Sequence, residues 1–477
     1  MDFETYLEER NGFWNETYQK NTTDSLFSRF YQEALKKYYR FIIPEGRSVL
    51  ELGCGTGDLL RALKPSKGVG IDFSSEAILR AEKAGNENIC FYCSPIESIR
   101  NIFPMGETFD FIILSDLIND LWNVQQVLET IRAFCRPDTR IVLNFYSRVW
   151  QLPLDLARKL KLAKPQLKQN WFTPEDVKNI LNLSGYEFIK QSYEFILPFS
   201  CPIIEPLFNR FFARLWPFRL LDLVNIIIAR PERIPSEKEY KVTVCVPARN
   251  EEGNIERIIE SVPKLGSGTE LIFVEGNSTD RTYEKIKTEI AKHPEKDLQL
   301  FQQTGKGKGD AVRMGYSHAS GDILMILDAD LTVSPDMLTD FYKALTENRG
   351  EFINGVRLVY PMESEAMRFA NLLGNKAFSL VFSWMLGQPI KDTLCGTKVM
   401  WKRDYEVLAR NRSYFGKFDP FGDYDLLFGA AKMNLKIIDL PIRYKDRTYG
   451  TTNISRWRHG VILLRMVLYA ARKLKFY

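Results

Sequence analysis

Asp328 and Asp330 stand one residue apart, flanking Ala329, where the apolar run 323–327 ends. Two carboxylates in that setting are costly unless they bind something cationic. Hard oxygen donors at this spacing suit magnesium or manganese bridging a diphosphate, and such an ion takes up negative charge developing on a departing group. An Asp-x-Asp alone arises often by chance, but here three patterned segments precede it. The apolar run 242–246 stops at Pro247 and opens into Ala248-Arg249-Asn250-Glu251-Glu252. The next run ends Val274-Glu275-Gly276-Asn277-Ser278-Thr279-Asp280, and Gly305-Lys306-Gly307-Lys308-Gly309 leads through a helical stretch to the aspartates.

A second constellation lies far upstream. Val49-Leu50-Glu51-Leu52-Gly53-Cys54-Gly55-Thr56-Gly57 reads as an apolar strand running into a glycine-rich turn, with a helix over 58–63. Glycine is needed where the backbone must turn sharply and approach a ligand closely. The following strand ends Gly70-Ile71-Asp72-Phe73, and an acidic residue there can accept hydrogen bonds from both ribose hydroxyls of an adenosine. A phosphate-binding loop is the rival reading, and three features oppose it. Glu51 within the loop strand would repel a pyrophosphate yet could pair with a cationic methionine-type ligand. The loop has no Lys-Ser/Thr ending. Ser94-Pro95-Ile96-Glu97 follows the third strand, where an adenine contact would lie.

These residues need strand ends to hold them. Residues 48–52, 68–71, 109–114, 140–145 and 224–229 read as buried parallel strands, with helices over 76–84 and 124–134. Residues 242–246, 270–274 and 323–327 repeat the style, with helices over 254–261 and 282–292. Alternating strands and helices predict α/β units with parallel sheets, whose ligands sit at the carboxyl ends of the strands. Residues 231–239 hold two prolines and a run of charges, a linker composition. The expected organisation is a first domain over 1–232, a linker over 233–239 and a second domain over 240–477.

The first pattern resembles the class I S-adenosylmethionine-dependent methyltransferases over roughly residues 40–190. The resemblance implies a Rossmann-like fold. It also implies S-adenosylmethionine held by Glu51, Gly53, Gly55, Gly57, Asp72 and Phe73, with Ser94, Pro95, Ile96 and Glu97 toward the adenine. Ser115 and Asp116, at the end of the next strand, would face the reacting methyl group. Asp116, Asn119, Asp120 and Trp122 either shape an acceptor pocket or ride a solvated loop. Phe13-Trp14-Asn15 and Tyr18 resemble a lid segment, and an aromatic helix packed on the sheet explains them equally well.

The second pattern resembles the family 2 glycosyltransferases of the dolichol-phosphate-mannose-synthase-like group, over about residues 240–450. The resemblance implies a GT-A fold and a nucleotide-sugar donor. Pro247, Ala248, Arg249, Asn250 and Glu251 would contact the nucleotide, Asp280 and Lys308 would lie around base and phosphates, and Asp328, Ala329 and Asp330 would hold the metal and donor. Glu275 replaces the family's usual aspartate, which leaves UDP against GDP open. Asp392–Lys398 resembles an acceptor-side loop. Asp423 and Asp425 compete for the role of general base, which a phosphate-monoester acceptor would not need. Arg447, in Arg447-Thr448-Tyr449-Gly450-Thr451-Thr452-Asn453, resembles the loop that covers the donor diphosphate, with Asn453 where lysine is usual.

The 477 residues, 45% hydrophobic and 26% charged, suit a globular chain of more than one domain. A net charge of +5 and the lack of a basic groove interleaved with aromatics argue against nucleic acid. Seven cysteines are an odd number, and Cys90-x-x-Cys93 has no matching pair, so a zinc site is not expected. Free thiols favour the cytoplasm. The acidic start, Met1-Asp2-Phe3-Glu4, predicts no leader, and no run reaches the ~18 apolar residues of a membrane span. The basic, apolar segment 456–475 either packs as an amphipathic helix or lies on the inner face of the plasma membrane, and the aromatic stretch 195–218 poses the same choice. Three functions follow: a bifunctional transferase acting on small-molecule, glycolipid or lipid-phosphate acceptors; a glycosyltransferase with a non-catalytic cofactor-binding scaffold; and a membrane-tethered binding protein, which two full sets of ligand-binding residues oppose. Neither the sugar nor the oligomeric state is legible at this level.

Overall fold

The computed structural model describes residues 2–20, 26–103, 106–160, 166–197, 201–233, 235, 237–357, 359–360, 369–414, 422, 424–445, 447, 449 and 456–476. The chain forms two compact units, Met1–Arg233 and Ile234–Tyr477.

The first unit is built on a seven-stranded sheet of β1 (Ser48–Leu52), β2 (Lys67–Asp72), β3 (Ile89–Cys93), β4 (Phe109–Ser115), β5 (Cys135–Tyr146), β6 (Tyr186–Glu194) and β7 (Val224–Pro231). The order is β3-β2-β1-β4-β5-β7-β6, and β1 to β5 run parallel. β1, β4 and the end of β5 are buried on both faces, as central parallel strands with helical cover must be. Chain order reverses between β1 and β4. The loops after these two strands therefore leave in opposite directions and open a crevice at their carboxyl ends.

The sequence predicts 224–229 as a parallel strand, and here the structure differs. β7 is antiparallel to both β5 and β6, with Asn144 opposite Ile226 and Gln191 opposite Ile227. A run of apolar residues buried on both faces carries no signal of direction, so only the path of the preceding chain could set it. The strand also extends to Pro231, opposite Tyr186, into the stretch whose composition reads as linker.

The second unit repeats the plan with β8 (Lys241–Ala248), β9 (Gly268–Glu275), β10 (Asp297–Gln302), β11 (Ile323–Ile326), β12 (Phe352–Val356), β13 (Lys398–Trp401) and β14 (Ile437–Pro441). Its order is β10-β9-β8-β11-β13-β12-β14; β8 to β11 are parallel, and β13 is antiparallel to both of its neighbours. The reversal falls between β8 and β11, so the Pro247 loop and the Asp328 turn share one edge of the sheet.

The seven cysteines are unpaired. Cys90 and Cys93, three apart on β3, point to opposite faces, as the period of a strand requires. Among the described residues no helix is long and apolar enough to cross a membrane. Helix Arg456–Leu474 buries Met466, Val467, Ala470, Ala471 and Leu474, and leaves Val461, Leu464 and Leu468 exposed.

The division between units and the composition of 234–239, one proline and three charges in six residues, generate one expectation. Limited proteolysis should cut first within that stretch and leave two protected fragments on a gel. First cuts before residue 234 or after residue 239 would mean that the two units share stability across the seam.

Candidate functional sites

In the first unit the crevice between β1 and β4 opens into a cavity of 1540 Å³. The turn after β1 places Gly53, Gly55 and Gly57 at φ +66°, +51° and +73°. At Gly55 a side chain would be strained by the backbone angle, and its Cβ would stand 2.6 Å from the Tyr18 hydroxyl. The Gly55 N–H instead donates to Asp72 Oδ2 (2.9 Å), and the Ser74 N–H donates to Asp72 Oδ1 (2.9 Å). Ser74 also caps helix Ser75–Lys83 by accepting from the Ala77 N–H, and its hydroxyl donates to Asn15 Oδ1 (2.6 Å). Through that bond helix Phe3–Gln19 is stitched over the site. It lines the cavity with Trp14 and Tyr18, so the aromatic N-terminal helix is both packed and part of the pocket wall.

Glu51, Gly53, Gly55, Asp72, Phe73, Ile96, Glu97, Ser115 and Asp116 all line this cavity. Gly57, Ser94 and Pro95 do not stand among the lining residues: Gly57 turns the chain beside Phe91, and the Ser94 N–H donates to the Asp72 carbonyl (2.9 Å). Glu51 is 2% exposed, and its Oε2 is buried without a hydrogen-bond partner. Burial pushes its carboxyl up to about 8, against one opposing N–H bond from Leu60. An acid so placed gains charge when a cation enters beside it. An orphaned carboxyl oxygen, a glycine cradle and a buried aspartate at the second strand fit an adenosine bearing a cationic sulfur.

Asp116 sits at φ +52° after β4. It is not on a solvated loop. Its Oδ1 accepts from the Tyr31 hydroxyl (2.8 Å) and from Asn144 Nδ2 (2.5 Å), and the Asn144 Oδ1 accepts from Tyr39 (2.7 Å). Burial raises its carboxyl to about 6, with the Tyr31 and Asn144 bonds opposing. Asp120 is also raised by burial, against the nearby Arg10 guanidinium. Asn119 is buried, bonding the Asn170 carbonyl (2.7 Å), whereas Trp122 is half-exposed and meets Tyr6 edge-on at 5.0 Å. Tyr31, Tyr39 and Asn144 carry no motif of their own. Asn144 alone left a trace, as a polar residue interrupting the buried end of β5.

In the second unit the Pro247 loop folds on the neighbouring turn. Asn250, at φ +58°, donates its N–H to Ser278 Oγ (3.0 Å) and accepts from the Thr279 N–H (2.8 Å). The Glu251 N–H donates to Thr282 (2.9 Å). Ala248 is buried and Arg249 exposed. Glu275 is buried and turned back, accepting from the Ser278 N–H (2.5 Å). Asp280 accepts from the Thr282 N–H (3.0 Å) and hydroxyl (2.5 Å), so it shapes the entry to helix Thr282–Lys292. Ser278, Thr279 and Thr282 thus hold the loop and had no individual signal in the sequence.

The two aspartates each face a cation. Lys308 Nζ lies 2.6 Å from Asp328, and Arg447 reaches Asp330 Oδ2 at 2.7 Å and Glu251 at 3.4 Å. Asp330 also accepts from the Thr332 hydroxyl (2.7 Å). Burial raises its carboxyl, but the Thr332 and Arg447 bonds outweigh that and hold it below the usual range. Burial of Glu251 acts the other way and wins over Arg447, raising its carboxyl. Gly396 completes the cradle, since a Cβ there would stand 2.1 Å from Asp328 Oδ2 and 2.2 Å from Lys308 Nζ. Two carboxylates in a glycine-walled cradle fit a magnesium or manganese ion in donor chemistry.

The remaining expected residues divide. Asp425 is buried beside Arg412 (3.2 Å) and Arg313 (3.9 Å). Asp423 and Asn453 lie outside the described residues. Asp392 is fully buried in a two-pronged pair with Arg357 (2.7 and 2.9 Å) and accepts from Asn375 (3.0 Å). Despite burial, these bonds hold its carboxyl far below the usual range, so it anchors the loop leading to Gly396.

The raised Glu51 carboxyl gives a pH signature. Its ordinary value is 4.5, so its contribution to stability is complete below that and declines as pH rises toward 8, where the folded state must also ionise it. Glu51→Gln should therefore raise the calorimetric melting temperature of the first unit more at pH 8 than at pH 5. An equal difference at both pH values would show that Glu51 is ionised in the unliganded fold.

Residues 21–191 match the family described as a methyltransferase domain, and residues 243–406 match glycosyl transferase family 2. The second unit is similar to the dolichol-phosphate mannosyltransferase of Pyrococcus furiosus, 27% identical over 45% of this chain and 59% of that protein. It is also similar to glycosyltransferase AglJ of Haloferax volcanii, 27% identical over 46% of this chain and 69% of that protein. The chain thus spans only part of the curated relatives it matches. Solved structures similar to it include a possible histamine N-methyltransferase of Thermotoga maritima, at 18% identity, 46% of this chain, 97% of that one and a TM-score of 0.36. A glucosyl-3-phosphoglycerate synthase of Mycobacterium tuberculosis is also similar, at 18% identity, 49% and 80% coverage and a TM-score of 0.36. The chain is a fusion of a methyltransferase domain with a family 2 glycosyl transferase domain.

Proposed function

We propose that the chain is a bifunctional enzyme, with S-adenosylmethionine-dependent methyl transfer in the first unit and metal-dependent sugar transfer from a UDP- or GDP-linked donor in the second. The observation that carries this reading is the pairing of two complete ligand cradles, Glu51–Gly55–Asp72 and Lys308–Asp328–Asp330–Arg447, each at the carboxyl ends of parallel strands.

When bound, S-adenosylmethionine supplies a methyl on cationic sulfur, which an acceptor oxygen or nitrogen takes as the C–S bond breaks and a neutral thioether leaves. Asp72 would accept from the ribose hydroxyls, and Glu51 would ionise against the positive charge. Asp116, with a carboxyl raised to about 6 and oriented by Tyr31 and Asn144, would take the proton that the acceptor loses.

In the second unit a divalent ion on Asp328 and Asp330 would neutralise the donor diphosphate. Lys308 and Arg447, which stand beside those carboxylates, would pair with the donor phosphates. Asp425 is the described candidate for deprotonating the acceptor; its two arginine neighbours equally suit an acceptor that is already a phosphate. The name of the Pyrococcus relative supports a lipid-phosphate acceptor. A cytoplasmic location accords with seven free cysteines, and the exposed Val461, Leu464 and Leu468 support peripheral membrane contact through the last helix.

Calorimetry should detect S-adenosylmethionine binding, and Asp72→Ala should weaken it by about 1.5–3 kcal/mol, the worth of a charge-assisted hydrogen bond. Unchanged affinity would remove Asp72 from the ribose.

Sugar transfer has its own test. EDTA should abolish it, and magnesium or manganese should restore it. Asp330→Asn should lower turnover by roughly 100-fold, about 2.7 kcal/mol of barrier, with methyl transfer untouched. Activity surviving EDTA would exclude the metal.

A further inference from the structure

Away from both ligand cradles, the first unit exposes apolar side chains in two segments that meet. Helix Gln151–Lys159 has two apolar faces. Leu152, Leu156 and Leu160, each four residues on, form an outward stripe 79%, 58% and 60% exposed. Pro153, Leu154 and Arg158, on its other side, line the 1540 Å³ cavity. The second segment, 203–221, is a series of short turns in which Ile203 and Trp216 are 84% and 73% exposed, with Leu207 and Leu220 also in water. The segments are joined where Trp150 Nε1 donates to the Leu221 carbonyl (2.8 Å) and the Ser147 N–H donates to that of Leu223 (2.8 Å). Trp150 and Leu223 line the cavity too. The apolar surface is therefore the outer side of the cavity wall.

Contiguous apolar surface of this kind marks an interaction site. Charge decides what kind. Arg148, Lys159 and Arg210 are exposed in the same segments. Of their acidic residues, Asp155 is half-exposed but paired with Arg158 (3.0 Å), Glu205 is partly buried and accepts from Asn209 (2.9 Å), and Asp222 is buried, so the exposed charge of the face stays positive. A second copy in an isologous dimer would bring the same positive charges face to face. An anionic bilayer meets both features, taking aliphatic and Trp side chains at the headgroup boundary and Arg and Lys at the phosphates.

We propose that this face docks the first unit on an anionic lipid surface, and that the cavity behind it takes a lipid headgroup as methyl acceptor. The acceptor clause rests on the methyl-transfer reading above; the docking does not. The full chain should co-sediment with phosphatidylcholine vesicles containing phosphatidylglycerol, and lose that binding with phosphatidylcholine alone or in high salt. The variant Leu152→Ser/Leu156→Ser/Trp216→Ser should partition at least about tenfold more weakly, and Arg148→Glu/Arg210→Glu should do the same with the apolar stripe intact. Calorimetric binding of S-adenosylmethionine should be unchanged in both, since none of these side chains lines the cavity. Vesicle binding that survives both variants and is lost only in Val461→Ser/Leu464→Ser/Leu468→Ser would overturn the proposal. So would a wild-type dimer, seen by sedimentation, that the triple variant splits without any vesicle binding. Methyl label supplied on S-adenosylmethionine should enter the chloroform-soluble fraction of a membrane lipid extract; label confined to water-soluble products would overturn the acceptor clause. A wild-type chain that binds vesicles but not S-adenosylmethionine would defeat the methyl-transfer reading and leave the docking standing.

Discussion

Carboxylates at the ends of buried parallel strands set the terms for both units. An ionised carboxyl taken out of water costs several kcal/mol unless hydrogen bonds or a cation compensate it. The two halves answer that constraint differently. In the first, Asp72 is met by two backbone N–H groups, and Glu51 and Asp116 are pushed upward by burial. In the second, Lys308 and Arg447 stand against Asp328 and Asp330. One cradle is poised to gain negative charge when a cation arrives, and the other holds its carboxylates against cationic side chains.

Both cradles depend on the same topological device. Where strand order reverses, neighbouring loops diverge and leave a crevice that no side chain from the sheet fills. What lines each crevice then comes from elsewhere in the chain. The Phe3–Gln19 helix closes the first through the Asn15–Ser74 bond. In the second, Arg447 ties Asp330 to Glu251, which belong to loops following different strands. Glycine enters where such convergence leaves no room, at Gly55 beneath Tyr18 and at Gly396 against Asp328.

Burial divides the expected site residues by task. Glu275, Asp280 and Asp392 are carboxylates that sit in motifs, yet their oxygens are taken up by Ser278, by Thr282 and by Arg357. They shape turns and anchor a loop. Glu51, with an oxygen left without a partner, is different in kind. The distinction is one of hydrogen-bond bookkeeping, and it needs coordinates.

The sequence by itself determined the α/β class, the strands that end in chemistry and the glycine and aspartate positions, because strand period, turn residues and the cost of a carboxylate after an apolar run are all local. It could not determine the direction of Val224–Pro231, since burial on both faces erases the alternation that orients a strand. Nor could it reveal the Tyr31–Asp116–Asn144–Tyr39 chain, the Lys308–Asp328 pair or the Trp150–Leu221 junction. Their members lie 20 to more than 100 residues apart, and only the closing of the sheets brings them within hydrogen-bond distance. Local chemistry is written in spacing; partnership across the chain is decided by packing.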